Sequence, residues 1–528
     1  MSDSRRNDNW RPRANPWLIA VSVTLAAFME ILDTTIVNVS LPHIAGSLSS
    51  SYDDATWTLT SYLVANGIVL PISGSFARVL GRKRYFLICI VAFTICSFLC
   101  GIASSLPELI VFRLLQGFFG GGLQPSQQSI ILDTFPPAQR GRAFSVVAVA
   151  VIFAPIIGPT LGGWITDTYS WRWIFLVNVP VGIFAFIVNS AIVEDPPWPN
   201  RERMRLFDLD WVGVGFIALG FGCLEVMLDR GEDEDWFGSP FIVTMAILTV
   251  VGITLAVCWL LWTRKPVVDL RVFADRNFAV GSIMVLAMFS TLYSSAVIVP
   301  QLAQQQLGYT ATLAGLILSP GGLIILPLIP LVSKLLLPNV QTRYIIGFGF
   351  FSLGCALLYA TNITPTLSFW DLAVIRMTQT FGLAFLFVPN STITYATLPR
   401  ELNTDGSSLY VMLRNISGSI GISLATAIVR EQTQVHRAYL VDHLTPFDQS
   451  YNNLVAQMEA SLRARDFPMD VHQTALGLIN RTLTQQASYL AYIDLFSIAA
   501  VVAFCMVPVV FLFRGTKPAA AAAAAPAH

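Results

Sequence analysis

Long apolar stretches recur along this chain and are separated by short polar segments. A transmembrane helix needs about 20 consecutive, mostly apolar residues, and fourteen stretches meet that requirement. With boundaries good to a few residues, the predicted spans are 17–41, 56–77, 85–104, 108–132, 143–166, 173–193, 210–229, 241–262, 278–302, 312–337, 344–362, 369–397, 407–429 and 489–513. The pattern predicts an all-α polytopic membrane protein with 14 transmembrane helices.

The composition supports the same class. Hydrophobic residues make up 54% of the 528 residues and charged residues 12%, whereas a soluble globular chain has about 25% charged residues. The net charge of zero gives no general attraction to nucleic acid. The seven cysteines all fall in apolar segments, which favours buried free thiols over disulfides or metal ligands.

The distribution of Lys and Arg predicts the orientation of the chain in the membrane, because short cytoplasmic loops carry an excess of these residues. With the N-terminus inside, the inner segments carry 22 of these residues and the short outer loops carry 2, Arg172 and Arg230. An even number of spans returns the chain to its starting side. We therefore expect both termini to be cytoplasmic.

One outer segment, residues 430–488, is much longer than the others and polar. It contains helical stretches, Asn453–Arg465 and Gln473–Gln486, that have little apolar surface to bury. Two interpretations remain open: a solvated cap over the last helix pair, or a docking surface for an extracytoplasmic partner. The Ala-rich tail, 514–528, is of low complexity and is expected to be disordered.

Two parts of the chain repeat each other. Span four contains R-L-L-Q-G-F-F-G from Arg113, and 263 residues later span twelve contains R-M-T-Q-T-F-G from Arg376. The same offset relates three further pairs: Gln116 and Gln379, Pro136 and Pro399, Gly158 and Gly421. The repeat predicts two related six-helix halves, a transporter architecture with a site near the midplane.

The predicted organisation follows from this repeat. It comprises a cytoplasmic tail (1–16), an N-terminal six-helix half (17–193), a linker with two extra helices (194–277), a C-terminal six-helix half that includes the long outer segment (278–513), and the tail 514–528.

Charged residues within the apolar spans are the first candidates for function, because each costs about 2.5–3.5 kcal/mol at the bilayer centre. In span one, Glu30, Asp33 and Asn38 share one helix face. By helical rise, Asp33 lies roughly 12 Å below the outer end of its span and Arg113 roughly 8 Å below the outer end of span four. The depths allow an acid–arginine pair, either a static ion pair or a site at which a carboxylate gains and loses a proton.

Span five contains A-P-I-I-G-P-T-L-G-G, in which the notable residues are Pro155, Gly158, Pro159, Gly162 and Gly163. Prolines kink a helix and glycines let a neighbour approach closely. The motif predicts a hinge or a seal between the halves, with plain small-residue packing as the alternative.

The loop between spans two and three carries a further motif, formed by Gly74, Arg78, Gly81, Arg82 and Lys83. Its cations are explained either by positive-inside anchoring or by contact at a cytoplasmic gate.

Other polar residues in the spans are weaker candidates for the substrate cavity or a C-terminal polar site. Glu225 lies close enough to the end of span seven to extend toward the surface. Arg376 and Asp494 lie at similar depth and are a candidate pair. Arg414 has no partner that the sequence identifies. The remaining candidates in this group are Asn38 and Gln116.

No catalytic or cofactor motif stands out. The chain has neither a P-loop nor a dinucleotide fingerprint, and its five histidines form no metal pattern. We expect neither an enzyme nor a bound cofactor or metal.

At this point the sequence resembles a known family, the EmrB/QacA subfamily of fourteen-span drug:proton antiporters in the major facilitator superfamily. The resemblance covers about residues 15–513 and rests on several motifs: L-D-T-T-I-V-N-V-S-L-P from Leu32, Arg113 with Gln116 and Gly117, the glycines of span five, W-R-W-I-F-L-V-N-V-P-V-G from Trp171, and L-D-R-G from Leu228. One departure is clear. The superfamily usually has an acid where this chain has Arg78, and Val79 replaces the next arginine.

The resemblance implies a function and partners. It implies a proton-coupled antiporter in the bacterial inner membrane that exports amphipathic drugs, driven by the proton gradient through Asp33, Glu30 and Arg113. It also implies an EmrA-like periplasmic membrane-fusion protein and a TolC-like outer-membrane channel as partners. Rival hypotheses are a stand-alone exporter of a metabolite or siderophore and, against the span-five motif, an uptake symporter.

Overall fold

The computed structural model describes residues 12–195, 209–442, 444–445, 447–464 and 470–514. Several residues of the sequence predictions lie outside these ranges: most of the tails 1–16 and 514–528, part of the linker, and seven of the inner cations (Arg5, Arg6, Arg11, Arg201, Arg203, Arg205 and Lys517). Throughout the described ranges the regular structure is helical, so the all-α prediction is confirmed.

The helices of the N-terminal half are α1 (Pro16–Ser47), α2 (Tyr52–Leu80), α3 (Arg82–Ile102), α4 (Leu106–Gly120), α5 (Leu123–Thr134), α6 (Pro137–Thr168), α7 (Trp173–Leu176) and α8 (Asn178–Ile192). The inserted pair is α9 (Trp211–Arg230) and α10 (Pro240–Trp262). These two pack closely, because a Cβ on Gly252 would lie 2.5 Å from the Gly220 backbone nitrogen.

The helices of the C-terminal half are α11 (Arg276–Gln305), α12 (Ala311–Leu316), α13 (Ser319–Leu331), a π-turn (Val332–Leu336), α14 (Leu337–Asn339), α15 (Thr342–Tyr359), α16 (Phe369–Ala384), α17 (Phe387–Thr394), α18 (Asn403–Val441), α19 (Gln449–Arg463) and α20 (Val471–Val509).

Within the part of the chain that it describes, the structure contains fewer candidate spans than the fourteen predicted. By length and composition, 12 helices in the described ranges can cross a membrane, or 13 if α6, bent by 44° between Pro155 and Ile157, counts as one span. The other predicted span, 108–132, is divided into α4 and α5. Gly121 and Gly122 form the break, and the glutamine-rich α5 is buried but too polar to resemble a span by itself. Fourteen spans therefore remains a prediction.

The two halves use equivalent helix pairs. Helix α1 packs along α6, and α11 packs along α18. In the first pair a Cβ on Gly158 would lie 2.1 Å from Thr35 Oγ1, and in the second a Cβ on Gly421 would lie 2.4 Å from the Ser290 carbonyl oxygen. The glycines related by the 263-residue offset thus permit the same close contact in each half.

The long outer segment is largely helical. Helices α18 and α20 are each 39 residues long, or about 58 Å, so both continue past their predicted spans. The stretch Gln473–Gln486 lies within α20, and α19 covers the stretch predicted from Asn453 up to Arg463. Arg437 donates to Asn480 Oδ1 at 3.0 Å between the two long helices. The segment is therefore a projecting helical arm pair with α19 folded against α20.

Candidate functional site

The buried acid–arginine pair predicted from helical depth is present. Arg113 NH1 on α4 donates to Asp33 Oδ2 on α1 at 2.6 Å, and neither side chain is exposed. Asp33 Oδ1 accepts two more bonds, from Asn178 Nδ2 at 2.6 Å and Gln116 Nε2 at 3.1 Å. Three donors from two helices, α4 and α8, therefore surround one carboxylate, which is how a buried charge is tolerated.

Arg113 is held on its other side by α2. Its Nε donates to the Thr58 carbonyl oxygen at 3.1 Å, and its guanidinium carbon lies 4.1 Å from the centre of the Tyr62 ring. Gly117 makes this possible, because a Cβ there would lie 2.3 Å from the Tyr62 carbonyl oxygen. The glycine one turn after the arginine thus brings α4 against α2 at the pair.

Glu30 lies one helical turn from Asp33 but has different partners. Its carboxylate accepts from Tyr62 OH at 3.1 Å, from Asn66 Nδ2 at 3.0 Å and from Gln124. Glu30 is 2% exposed, and Arg414 of the C-terminal half is the cation that acts on it electrostatically. The two helix-one acids are therefore separate sites, one paired with arginine and one held by neutral donors.

A central cavity of about 250 Å³ lies between the halves. Glu30 and Arg113 line it, whereas Asp33 lies behind Arg113. Apolar and aromatic residues from α1, α2, α6, α11 and α18 form most of the remaining wall, together with Asn38 and Glu225. This combination suits a molecule with an apolar body and a few polar groups.

A second cavity, of about 230 Å³, adjoins the first toward the outer end of the helices. Asn38 and Leu59 line both cavities, and Asp229 and Arg230 line only the outer one. The central cavity therefore continues toward the end that the charge distribution assigns to the outside.

The span-five motif faces helix α1. A Cβ on Gly162 would lie 2.7 Å from Ile36 atoms, and one on Gly163 would lie 3.7 Å from Val39. Pro155 and Pro159 line the cavity beside them. The glycines thus pack α6 onto the helix that carries the two acids, and the bend falls directly after Pro155.

At the opposite end, which we call the inner end, contacts between the halves close the cavity. Arg78 on α2 bonds and ion-pairs with Asp405, in the first turn of α18. One turn along, Ser73 Oγ and Ser408 Oγ are 3.0 Å apart. Gly74 permits this approach, because a Cβ there would lie 3.0 Å from Ser408 Oγ. The arginine that replaces the family's usual acid thus meets an acid in the other half.

The rest of the predicted gate loop makes a short relay. Arg82 ion-pairs with Asp133, which also accepts from Asn403 Nδ2 of the C-terminal half at 3.1 Å. Lys83 Nζ donates to the Ser190 carbonyl oxygen at 2.8 Å. Gly81 has a φ of 87°, a left-handed backbone that favours glycine. Arg78 and Arg82 therefore both contribute to interdomain contacts, in addition to any anchoring by charge.

The predicted Arg376–Asp494 pair is wrong. Asp494 bonds His436 Nε2 at 2.7 Å, at the base of the outer arms. Arg376 NH1 instead donates to Ser295 Oγ at 2.9 Å, and Ser295 bonds Gln379. The repeat thus reproduces the arginine and glutamine of the first half, but with a hydroxyl in place of the Asp33 carboxylate.

The structure also locates Glu225 and Arg414, the remaining charged candidates within the spans. Glu225 does not extend to the surface: it is 4% exposed and faces the central cavity. Arg414 is buried, with its guanidinium carbon 5.7 Å from the Phe289 ring centre, and it acts electrostatically on Glu30. Within the described ranges, no group of three or more His, Cys, Asp or Glu side chains is placed to hold a metal ion.

Four partner residues were not predicted from the sequence. Asn178 belongs to the W-R-W-I-F-L-V-N motif, which was noted in the sequence, but the motif did not indicate that Asn178 bonds Asp33. Asn66 and Gln124 donate to Glu30, but nothing in the sequence marked them except that they are amide side chains in apolar or buried helices. Asp405 lies 327 residues from Arg78, and only folding shows that they meet.

Comparisons with known proteins agree with this architecture. A model of the Major Facilitator Superfamily matches residues 23–422. The multidrug export protein EmrB of Haemophilus influenzae is 38% identical over 443 residues, 84% of this chain and 86% of that protein. The Escherichia coli K12 protein of the same name is 36% identical over 484 residues, 92% of each chain.

The fold itself has a solved counterpart. The crystal structure of a double tryptophan mutant of XylE superposes with a TM-score of 0.58 at 13% identity, covering 96% of this chain and 98% of that chain. That likeness shows the fold alone, whereas the sequence matches show the family. The chain is a multi-pass membrane protein of the major facilitator superfamily, in which it groups with the EmrB proteins.

Proposed function

We propose that this protein is a proton-driven exporter of amphipathic compounds across the bacterial inner membrane, with both termini in the cytoplasm. The observation that carries the proposal is the fully buried Asp33–Arg113 pair, whose arginine lines a cavity between two helical halves. The names of the similar proteins, multidrug export proteins from two bacteria, support the direction and the kind of cargo.

The coupling step follows from the pair. Protonation of Asp33 neutralises one partner and leaves Arg113 buried without a full counter-charge. Breaking a buried pair costs about 3–5 kcal/mol, so the protonated protein favours a state in which Arg113 has other surroundings. A change from 1:99 to 99:1 between two states requires about 5.5 kcal/mol. One proton at this site therefore supplies a large part of the bias, and cargo binding supplies the rest through its own preference.

The cavity supplies the cargo site in this proposal. It is closed at the inner end by the Arg78–Asp405 and Ser73–Ser408 contacts and continues outward past Asn38. This arrangement corresponds to the state from which cargo leaves and a proton enters. Proton exchange at Asp33 then resets the halves, which we take to be residues 17–193 and 278–513, with α9 and α10 as an insert.

The outer arms are the proposed contact for a periplasmic membrane-fusion protein, with an outer-membrane channel beyond it. They carry an apolar side chain that the described part of the chain leaves uncovered: Phe447 is 97% exposed. A solvated cap would have little reason to expose such a residue. A stand-alone exporter remains the second candidate, since the cavity alone would serve it equally well.

The experiment compares Asp33→Asn with Asp167→Asn in proteoliposomes that carry a pH gradient. Asp167 is an exposed acid near the outer end of α6 whose ion-pair partner is His43, so it controls for loss of a carboxylate. We expect Asp33→Asn to abolish gradient-driven efflux while cargo binding persists, and Asp167→Asn to behave as wild type. Gradient-driven flux at the wild-type rate in Asp33→Asn would refute the coupling role. Accumulation in the same direction as proton flow would favour a symporter.

A further inference from the structure

A second carboxylate faces the central cavity in addition to that of Glu30, and it belongs to the inserted helix α9. Glu225 is 4% exposed and lines the cavity wall. Its Oε2 accepts a hydrogen bond from Ser419 Oγ of α18 at 3.0 Å. Among the described residues no donor bonds its Oε1, so that oxygen faces the open space.

Glu225 differs from the other two cavity-region acids in lacking a partner of opposite charge. Asp33 has Arg113, and Glu30 has three hydrogen-bond donors with Arg414 nearby. No Lys or Arg in the described ranges forms an ion pair with Glu225. A buried carboxylate with one neutral donor is costly, and a cation that enters the cavity relieves that cost.

The walls next to Glu225 are suited to an apolar cation. Tyr293 of α11 lines the same cavity and offers a ring, which attracts a positive charge placed over its face. Gly67 on α2 lets the Glu225 side chain pass, because a Cβ there would lie 3.1 Å from Glu225 Cγ. Leu63 and Val297 add apolar wall. Carboxylate, ring and apolar surface together recognise a single positive charge on an apolar body.

We propose that Glu225 is the specificity residue for monovalent amphipathic cations, so that the inserted helix, rather than either half, selects cargo by charge. This inference rests on the proposed function, because it names a class of cargo for the same cavity. The competing role for Glu225 is a second proton-carrying group, which would affect every cargo equally.

The test uses Glu225→Gln, which keeps the shape and the Ser419 contact, and two probes of similar shape. Tetraphenylphosphonium carries one positive charge, and triphenylphosphine oxide is neutral. Equilibrium binding to purified protein in detergent is measured first, because it requires no proton gradient. We expect the tetraphenylphosphonium Kd to weaken about 10- to 100-fold, the factor of a charge-assisted contact, and the Kd of the neutral probe to change less than about 3-fold.

Asp167→Asn is the control for loss of a carboxylate. Asp167 is an exposed acid near the outer end of α6 and lines neither cavity. Its variant should bind both probes as wild type does. An equal loss of tetraphenylphosphonium binding in Asp167→Asn would show a general effect of charge and overturn the assignment to Glu225.

The other outcomes are equally decisive. If the wild type does not bind tetraphenylphosphonium, or if Glu225→Gln binds it unchanged, the proposal is wrong. If Glu225→Gln is as stable as wild type, with the same unfolding temperature, yet its affinity for both probes falls equally, Glu225 does not select cargo by charge. Failure of the proposed function looks different: the wild type would bind the cation but show no pH-driven transport of either probe.

Discussion

The contact between Arg78 and Asp405 gives a prediction that can be worked out in detail. The two side chains are 15% and 4% exposed and join α2 to α18 across the inner end. Arg78 also donates to the Val267 carbonyl oxygen at 3.0 Å. Asp405→Asn removes the charge and keeps the shape. Because this structure holds the inner end closed, the substitution should favour the inward-open state.

The magnitude follows from the environment. A hydrogen bond to a charged group contributes about 1.5–3 kcal/mol, and a carboxylate in the first turn of a helix adds about 0.3–1 kcal/mol. A loss of about 2–3 kcal/mol changes the ratio of closed to open inner ends roughly 30- to 150-fold. Export should then slow, because the outward state is less populated.

The assay measures the inner gap directly. Gln139 on α6 and Asn339 on α14 are exposed residues of opposite halves, and nearby Gly141 would meet Leu337 at 2.9 Å through a Cβ. Spin labels at these positions in a cysteine-free protein report the distance between the halves. We expect a short distance in wild type and a longer population in Asp405→Asn.

The double variant Arg78→Asp with Asp405→Arg is the control for pairing. It restores the two opposite charges in exchanged positions, so the short distance and the export rate should return at least in part. An unchanged distance distribution in Asp405→Asn, or a double variant no closer to wild type than Asp405→Asn alone, would refute the reasoning.

Four further predictions concern the site and the arms. Arg113→Lys keeps the charge but loses the planar guanidinium, whose NH1 bonds Asp33 and Gln116 and whose Nε bonds the Thr58 carbonyl oxygen. pH-driven transport should therefore fall well below wild type; full activity would show that a positive charge alone is sufficient at this position. Glu30→Gln keeps the neutral donors and should reduce the transport rate less than Asp33→Asn does in the same proteoliposomes; the reverse order would exchange their roles. Gly117→Ala places a Cβ 2.3 Å from a carbonyl oxygen and should lower the free energy of unfolding by about 1–3 kcal/mol, seen as a lower melting temperature. Replacing 442–470, which includes α19, with a Gly/Ser linker should spare transport in liposomes and abolish resistance in cells; full resistance would favour the stand-alone exporter.

Local sequence physics predicted the elements of the site but not most of its partners. The Asp33–Arg113 pair was accessible because helical rise gives the depth of each residue and burial demands a counter-charge. Whether the Glu225 side chain faces the membrane surface or the cavity could not be predicted, because a residue near a helix end can do either. Arg78 was recognised as unusual, but its partner came from the other half. Helical stretches in the outer segment were predictable from the sequence, but the continuation of α18 and α20 into it was not, because both helices lose their apolar pattern there.

In the C-terminal half, Arg376 bonds the hydroxyl of Ser295, whereas the equivalent arginine of the first half bonds a carboxylate. This difference affects how much charge crosses the membrane in each transport cycle. Among the described residues, the duplicated site in the C-terminal half contains no titratable acid, so we expect its positive charge to stay fixed throughout the cycle. Under the proposed mechanism, the coupling arginine–carboxylate pair then exists once and exchanges one proton per cycle. A monovalent cation exported against that proton moves no net charge, and the membrane voltage has no influence on its distribution. A neutral compound exported by the same cycle moves one charge, which is worth about 2.3 kcal/mol per 100 mV. Voltage should therefore drive neutral cargo and leave cationic cargo to the pH difference alone.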